Sequence, residues 1–221
     1  MYNGNMKKSL RIILTVVFAI IYAAIFAYMI YQSSMTGEES MEESGKITKF
    51  LATLPPFAPL ASSGQLEDVV RKFIGHFCEY GFLGIIGYFL FSFAIPKTYD
   101  QTVNLASGFL CATVTEVIQI FSVERGPSFA DIILDFQGYL TAYLGLTLIL
   151  FLIGVKYIKS VNLIVKRLIF TLPFFLLAIT PFIFFKDLSL GNVMCYYVFL
   201  AAFAFCLTPV VIITLIKRKT A

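Results

Sequence analysis

The chain contains no tryptophan, one histidine and few charged residues, since only 14% of its 221 residues are Asp, Glu, Lys or Arg. A soluble domain usually has about 25% charged and about 45–50% apolar residues. Here 59% of the residues are hydrophobic and the mean hydropathy is +0.86. These values exclude an ordinary soluble domain and indicate an integral membrane protein. The net charge of +4 is small and gives no indication of a nucleic-acid partner.

Several chemical motifs are also missing. The four cysteines lie inside apolar runs and form no Cys-x-x-Cys pair, so neither a disulfide framework nor a cysteine-rich zinc site is predicted. The chain has no glycine-rich phosphate loop and no Gly-x-Ser-x-Gly elbow. Enzyme classes that depend on those motifs are therefore excluded.

Long apolar runs dominate what is present. A spanning helix needs about 20 mostly apolar residues, and alternating runs typical of a membrane barrel are missing. We therefore predict an all-α integral membrane protein with six spans. The first run is longer than the apolar part of a signal peptide, about 7–15 residues, and is interpreted as a retained anchor. The six runs are Leu10–Tyr31, Phe73–Ile95, Thr102–Phe121, Ile132–Ile153, Val165–Phe185 and Val193–Ile216.

The distribution of Lys and Arg predicts the orientation, because cytoplasmic loops carry an excess of basic residues. With the N-terminus inside, eleven of the 17 basic residues are cytoplasmic and six are outside. We therefore expect both termini in the cytoplasm of a bacterial plasma membrane, and residues 32–72 as the long outer connection. Within it, apolar residues from Ile47 to Leu54 recur at helical spacing until Pro55. This segment is predicted either to lie on the outer leaflet as an amphipathic helix or to pack on the bundle.

Polar residues gather at the predicted outer ends of the second, third and fourth spans. On α-helices, residues three or four apart share a face. This spacing predicts three same-face pairs, which are His76 with Glu79, Glu116 with Gln119, and Asp131 with Asp135.

Their depth makes a shared site the preferred interpretation. At 1.5 Å per residue, Glu79 and Glu116 each lie about 9 Å below the outer ends of their helices. Asp135 lies about 6 Å below Asp131 by the same rise. An ionised side chain inside a span costs about 2.5–3.5 kcal/mol, so such groups usually face the bundle interior and mark function. The acids are therefore predicted to point into one cavity.

Three kinds of chemistry fit a histidine among carboxylates. His76 or a glutamate could carry protons in acid–base catalysis. A divalent metal could be held by the imidazole and carboxylate oxygens, although no particular metal is indicated. The residues could also bind a lipid head group. A fourth interpretation is purely structural, in which the network only fixes helix packing.

Three stretches resemble the VanZ-like family. They are "YQSSMTGEES" at the end of the first span, "KFIGHFCEYGFLG" in the second, and "TEVIQIFSVERGPSFADIILDFQGYLTAYLG" across the third and fourth. One departure is Thr115, where the family often has Asp before the glutamate of the third span. The other is residues 160–221, which match nothing in the family. The predicted organisation is a VanZ-like core in residues 1–158, with two additional helices in residues 159–221.

The resemblance implies a bacterial membrane protein, from a family named for a member that gives tolerance to the glycopeptide antibiotic teicoplanin. The first hypothesis is an enzyme that acts on an outer-leaflet lipid or a lipid-linked cell-wall precursor. Its catalytic residues would be His76 as acid or base, Glu79 to orient it, and Glu116 and Asp135 as a second carboxylate or metal site. Its substrate-binding residues would be Tyr80, Gln119, Arg125 and Asp131, with Arg125 on an anionic group.

Two other hypotheses remain. One is a binder of a lipid head group, or a partner protein of the envelope machinery, that performs no chemistry. The weaker one is a proton-coupled transporter, since the acids gather at one end and only Asn104 and small residues continue towards the other. No pattern in the sequence indicates an oligomeric state.

Overall fold

The computed structural model describes residues 7–96, 99–152 and 189–219, and within these ranges the chain is helical with no strand. The all-α fold class is therefore confirmed. Two short 3-10 segments, Pro55–Phe57 and Gln119–Phe121, and one π-helical segment, Val70–Cys78, complete the helical structure. The α-helices are α1 (Lys8–Ser34), α2 (Gly37–Ala52), α3 (Ala58–Ser62), α4 (Leu66–Val69), α5 (Glu79–Ala94), α6 (Asp100–Ile118), α7 (Phe129–Leu152) and α8 (Leu190–Lys219).

Four helices of the described part are long and apolar enough to cross a membrane: Lys8–Ser34, Leu66–Ala94, Asp100–Phe121 and Phe129–Leu150. They coincide with the first four predicted spans. The fifth predicted span, Val165–Phe185, lies outside the described residues. The sixth, Val193–Ile216, lies within α8, and its crossing of the membrane stays a prediction.

The second span is one continuous helix in which α4, the π-helical segment and α5 follow without a break. It begins at Leu66, seven residues before the predicted start at Phe73. Arg71 and Lys72, which the sequence places in the preceding loop, therefore belong to the helix that carries His76.

Helix α7 lies at the centre of the bundle, packed against α5, α6 and α8. Its approach to the second span depends on glycine. A Cβ atom added at Gly84 would lie 2.6 Å from the carbonyl oxygen of Tyr139, and one added at Gly138 would overlap the carbonyl of Phe77. Small residues permit such close helix contacts in membranes. By contrast, α1 is peripheral, because only 6% of the residues in its most apolar stretch are buried.

Helix α2 forms part of the predicted outer connection. The sequence predicts a helix only from the apolar residues near Ile47, whereas the observed helix begins at Gly37. A capping box explains the earlier start, because the Thr36 hydroxyl accepts from the Glu39 amide and the Glu39 carboxylate accepts from the Thr36 amide. The acidic residues after Gly37 also stabilise the N-terminal turns of the helix, because negative charge is favourable at the positive end of the helix dipole.

Candidate functional site

The ends of α1, α6 and α7 meet the π-helical segment around a cavity of about 130 Å³, and α2 lies across it. Seven of the eight site residues predicted from the sequence line this cavity: His76, Glu79, Tyr80, Glu116, Gln119, Arg125 and Asp135. The eighth, Asp131, is not among them. The acids Glu79, Glu116 and Asp135, which the sequence places at a common depth in three helices, therefore line one cavity.

The π-helical segment Val70–Cys78 carries His76 near its end. Such segments have i→i+5 hydrogen bonds and a wider turn than the α-helix, are rare, and often occur at functional sites. The wider turn also changes which side chains share a face. His76 contacts Asp135 of α7, while Glu79 contacts Gln32 of α1.

His76 is paired with Asp135, whose carboxylate oxygen lies 2.8 Å from the ring Nδ1. Asp135 is only 1% exposed, so it holds the imidazole from the interior of α7. A carboxylate that accepts from Nδ1–H leaves Nε2 as the nitrogen able to take a proton or bind a metal. The sequence assigned the orienting role to Glu79, and this assignment is wrong in its geometry because the bonded carboxylate is that of Asp135.

Glu79 contacts α1 instead. With the amide of Gln32 turned so that its nitrogen faces the carboxylate, Gln32 donates to Glu79 at 3.0 Å and accepts from the Tyr28 hydroxyl at 2.9 Å. Gln32 was not predicted as a site residue, because α-helical spacing within one span cannot reveal a partner on another helix.

Glu116 is also 1% exposed and is fixed at both carboxylate oxygens. Gln119 donates to one oxygen at 2.7 Å, and the backbone amide of Ser128 donates to the other at 2.9 Å. The predicted Glu116–Gln119 pair is therefore confirmed as a hydrogen bond. It holds the carboxylate at the cavity wall.

A metal ion could be held by His76, Glu116 and Asp135. One ligand atom from each of the three lies within 4.8 Å of the other two. Imidazole nitrogen with carboxylate oxygens suits hard or borderline divalent cations. Glu79 is not part of this triplet.

Basic residues surround the acids unevenly. Lys72 is bonded to Asp131 at 2.6 Å, so the carboxylate predicted to bind substrate is engaged by a lysine of the neighbouring span. Arg71 and Arg125 line the cavity, and Arg125 donates to the backbone carbonyl of Gln32 at 2.9 Å. Burial lowers the pKa of the Arg125 guanidinium, which still remains charged at neutral pH.

Tyr80 and Thr115 close the inner wall of the cavity. Their hydroxyl groups are hydrogen-bonded to each other, and Thr115 also donates to the carbonyl of Ala112 at 3.1 Å. Thr115 is the residue that replaces the aspartate expected from the family resemblance. Here the position supplies a hydroxyl partner for Tyr80 and adds no further negative charge.

The sequence did not identify every residue at the cavity. Arg71 was counted only for topology, and four α2 residues were not predicted as site residues. Those four, which form its inner face, are Ser40, Glu43, Ser44 and Ile47. Their spacing of three and four residues is the signal that could have indicated a helix covering the site.

Comparisons with known proteins agree with the sequence resemblance. A family model described as VanZ/LLP1 matches residues 18–153, which include every described residue of the cavity wall. No curated protein and no solved structure matches the chain.

Proposed function

The chain belongs to the VanZ/LLP1 family, and from this premise we propose that it binds an anionic lipid or lipid-linked cell-wall precursor in the cavity around His76. In this proposal the protein is a multi-pass protein of a bacterial plasma membrane with both termini in the cytoplasm. The cavity faces outward, where glycopeptide antibiotics meet cell-wall precursors. Its activity gives the envelope tolerance to teicoplanin.

The single observation that carries the proposal is the His76–Asp135 pair, placed beside Glu116 and facing a cavity that two arginines line. A packing network has no need of an open cavity. A head-group site needs space and positive charge for phosphate, and a catalytic one also needs groups able to move protons. These features occur together here.

The charges indicate how an anionic head group would be held. Arg71 and Arg125 supply guanidinium groups, whose planar forked geometry suits phosphate oxygens. Lys72 is already paired with Asp131, so its charge is partly neutralised. The arginines are therefore the preferred ligands, and the substrate's phosphate would lie near the end of the cavity beside Arg125.

The catalytic form of the proposal follows from the remaining groups. Asp135 keeps the proton on Nδ1 of His76, so Nε2 can accept a proton from an attacking hydroxyl group or water and later return it to the leaving group. Glu116 either stabilises the protonated imidazole or, with His76 and Asp135, holds a divalent metal that would polarise a phosphate oxygen. Tyr80 and Gln119 complete the wall around the substrate.

The second candidate is a non-catalytic binder of the same lipid or a partner of the envelope machinery. The fixed carboxylate of Glu116 favours it, because two donors already orient that group without a substrate. In this case the His76–Asp135 pair would position the head group and move no proton.

A comparison of lipid masses separates the two candidates. Purified full-length protein is incubated with envelope lipids and lipid-linked cell-wall precursors, and the masses are compared before and after. A new mass formed by the native protein and not by His76→Ala supports the enzyme. Tight retention of one lipid without a new mass, lost in Arg125→Gln, supports the binder.

The control for this experiment is Glu42→Gln, which removes an exposed acid of α2 whose ion-pair partner is Lys46. This variant should behave like the native protein. If His76→Ala and Arg125→Gln retain the same lipids and form the same products as the native protein, the cavity has no role in lipid chemistry or binding and the proposal is wrong.

A further inference from the structure

A second, apolar concavity lies beside the polar cavity, between α1 and the second span. It is a groove of about 520 Å³. Its walls include Ala24, Ile25 and Tyr28 on one side and Cys78 and Phe82 on the other. The groove and the cavity share three wall residues, Met29, Ile74 and Glu79. They are therefore neighbouring compartments that meet at these three side chains.

The groove lies on the peripheral side of the bundle. Tyr28 is 53% exposed and Phe82 is 55% exposed, and α1 is the least buried of the four spans. If these helices cross a membrane, such exposed apolar walls face lipid chains. A hydrocarbon chain could therefore enter the groove sideways from the bilayer without passing through the protein.

Polar side chains lie where the two compartments meet. The Tyr28 hydroxyl, the Gln32 amide and the Glu79 carboxylate form a hydrogen-bonded series between α1 and α5. Tyr28 lines only the groove, Gln32 lines only the cavity, and Glu79 lines both. The surface thus changes from apolar to polar over one helical turn. This change matches an amphiphilic molecule, whose apolar chain is joined directly to a polar head group.

The charges of the cavity select the kind of head group. Among the described residues, neither Arg71 nor Arg125 forms an ion pair with a carboxylate, although both line the cavity. Burial lowers the pKa of Arg125, nearby Glu116 raises it, and the charge of Arg71 lowers it further. Two neighbouring cations without a bonded carboxylate attract an anion, and phosphate matches the forked guanidinium geometry.

We infer that the cavity and the groove form one site for a single phosphate-bearing lipid. Its head group lies between Arg71 and Arg125, and one of its hydrocarbon chains lies along Ala24, Ile25 and Phe82. This inference rests on the proposed function and adds where the hydrocarbon chain of the lipid lies and that the lipid enters from the side. A soluble phosphate compound would leave the groove unused.

The test uses full-length protein in phosphatidylcholine nanodiscs that contain phosphatidic acid with a photoreactive group in one acyl chain. After illumination, labelled peptides are identified by mass spectrometry. The expected labels lie on the groove segments that include Ile25 and Phe82. Unlabelled phosphatidic acid should compete for labelling, whereas soluble glycerol 3-phosphate should compete poorly because it lacks the chain.

Two alanines of α1 provide a matched pair of variants. Ala24→Phe places a ring in the groove and should strongly reduce labelling there. Ala23→Phe makes the same change at an exposed position that does not line the groove, and should leave labelling unchanged. The double variant Arg71→Gln/Arg125→Gln should weaken labelling about tenfold or more, since it removes both charged donors proposed to bind the phosphate.

Three results would overturn the inference. One is uniform labelling over all lipid-facing surfaces of α1. Another is equal labelling by a phosphatidylcholine probe with the same chain. The third is full labelling of the groove segments in Ala24→Phe, which would show that the labelled chain does not lie in the groove.

Calorimetry with glycerol 3-phosphate shows whether only the inference of a shared lipid site is wrong or the proposed function is wrong as well. Binding that is lost in Arg125→Gln, together with an unlabelled groove, would leave the head-group cavity intact and refute only the shared lipid site. If neither the phosphate compound nor the lipid binds, both the inference and the proposed function are wrong.

Discussion

The two ends of the bundle use polar residues differently. At the His76 end, histidine, carboxylates and arginines surround a cavity of about 130 Å³. At the opposite end, the space beside Asp100, Asn104 and Tyr143 is too narrow to admit a water-sized group. Polar groups with space in front of them can meet a ligand, whereas polar groups packed against one another can only support the fold.

The Asn104 end shows how such packing is achieved. Tyr139 is completely buried and donates a hydrogen bond to the side chain of Asn104. Its ring lies against Gly108, where an added Cβ would approach within 2.6 Å. Glycine here provides space for tyrosine, so the buried hydroxyl group finds its partner. This end therefore offers little support for the proton-coupled transporter hypothesis, which needs a hydrated path.

The largest expected effect comes from Asp135→Asn at the His76 end. An amide in this place can donate to Nδ1 and so favour the tautomer with the proton on Nε2, which no longer accepts one. If the site is catalytic, turnover of the lipid substrate should fall about 10²–10⁴-fold. The measurement is the rate of product formation by mass spectrometry.

Asn104→Ala is the control for Asp135→Asn, since it removes a buried polar group at the other end of the bundle. We expect its turnover rate to equal that of the native protein, although its stability should fall. Equal losses of turnover in both variants would mean that the two ends do not differ in function.

The next largest effect concerns close helix packing in α7. Gly138→Ala should destabilise the protein by about 1–3 kcal/mol, because the new methyl group overlaps the Phe77 carbonyl. Gly145→Ala is the matched change, as in the described part of the chain no atom beyond its own stretch of helix backbone lies within 4 Å of its added Cβ. It should be neutral or stabilising by about 0.5–1 kcal/mol, the helix preference for alanine over glycine.

Thermal unfolding in detergent measures the stability of both variants. Equal stability of the two variants would refute the close contact.

A smaller effect is expected for Tyr139→Phe. The change removes one hydroxyl group and leaves Asn104 without this donor, which should cost about 1–2 kcal/mol of unfolding free energy. Lipid binding at the His76 end should be unchanged. Unfolding curves and lipid retention on the same preparation test this separation, and a loss of lipid binding at unchanged stability would contradict it.

The smallest effect is expected for the helix that covers the cavity. Thr36→Ala removes the cap of α2 and should weaken its first turns by about 1 kcal/mol, without unfolding the bundle. Hydrogen exchange of the α2 amides should become faster while exchange in α7 stays the same. Unchanged exchange in α2 would show that its cap does not determine its stability.

The sequence predicted the main features of the His76 end from local rules. Hydropathy located the four spans, and the depth of Glu116 and Asp135 below the helix ends predicted that they would meet. Gln119 was correctly paired with Glu116, because Gln119 directly follows the end of α6 with helical backbone angles, so that residues three apart still share a face. In each of these cases the information is contained within one helix or in the thickness of the membrane.

Other features depend on contacts that local rules do not describe. The partner of His76 was assigned to Glu79 from α-helical spacing, and the π-helical segment made that spacing invalid. The pairing of Lys72 with Asp131 joins residues 59 positions apart. Arg71 was missed because the helix begins earlier than hydropathy alone indicates, as a charged first turn lowers the hydropathy of the window.

The most direct test of the central claim is teicoplanin tolerance of cells that carry His76→Ala, measured together with the amount of protein in the membrane. Glu42→Gln serves as the exposed control. We expect tolerance to be lost in His76→Ala at an unchanged membrane amount, and to be retained in the control. If native protein gives tolerance and His76→Ala gives the same tolerance, or if the variant disappears from the membrane, the His76 end is structural and the central claim is wrong.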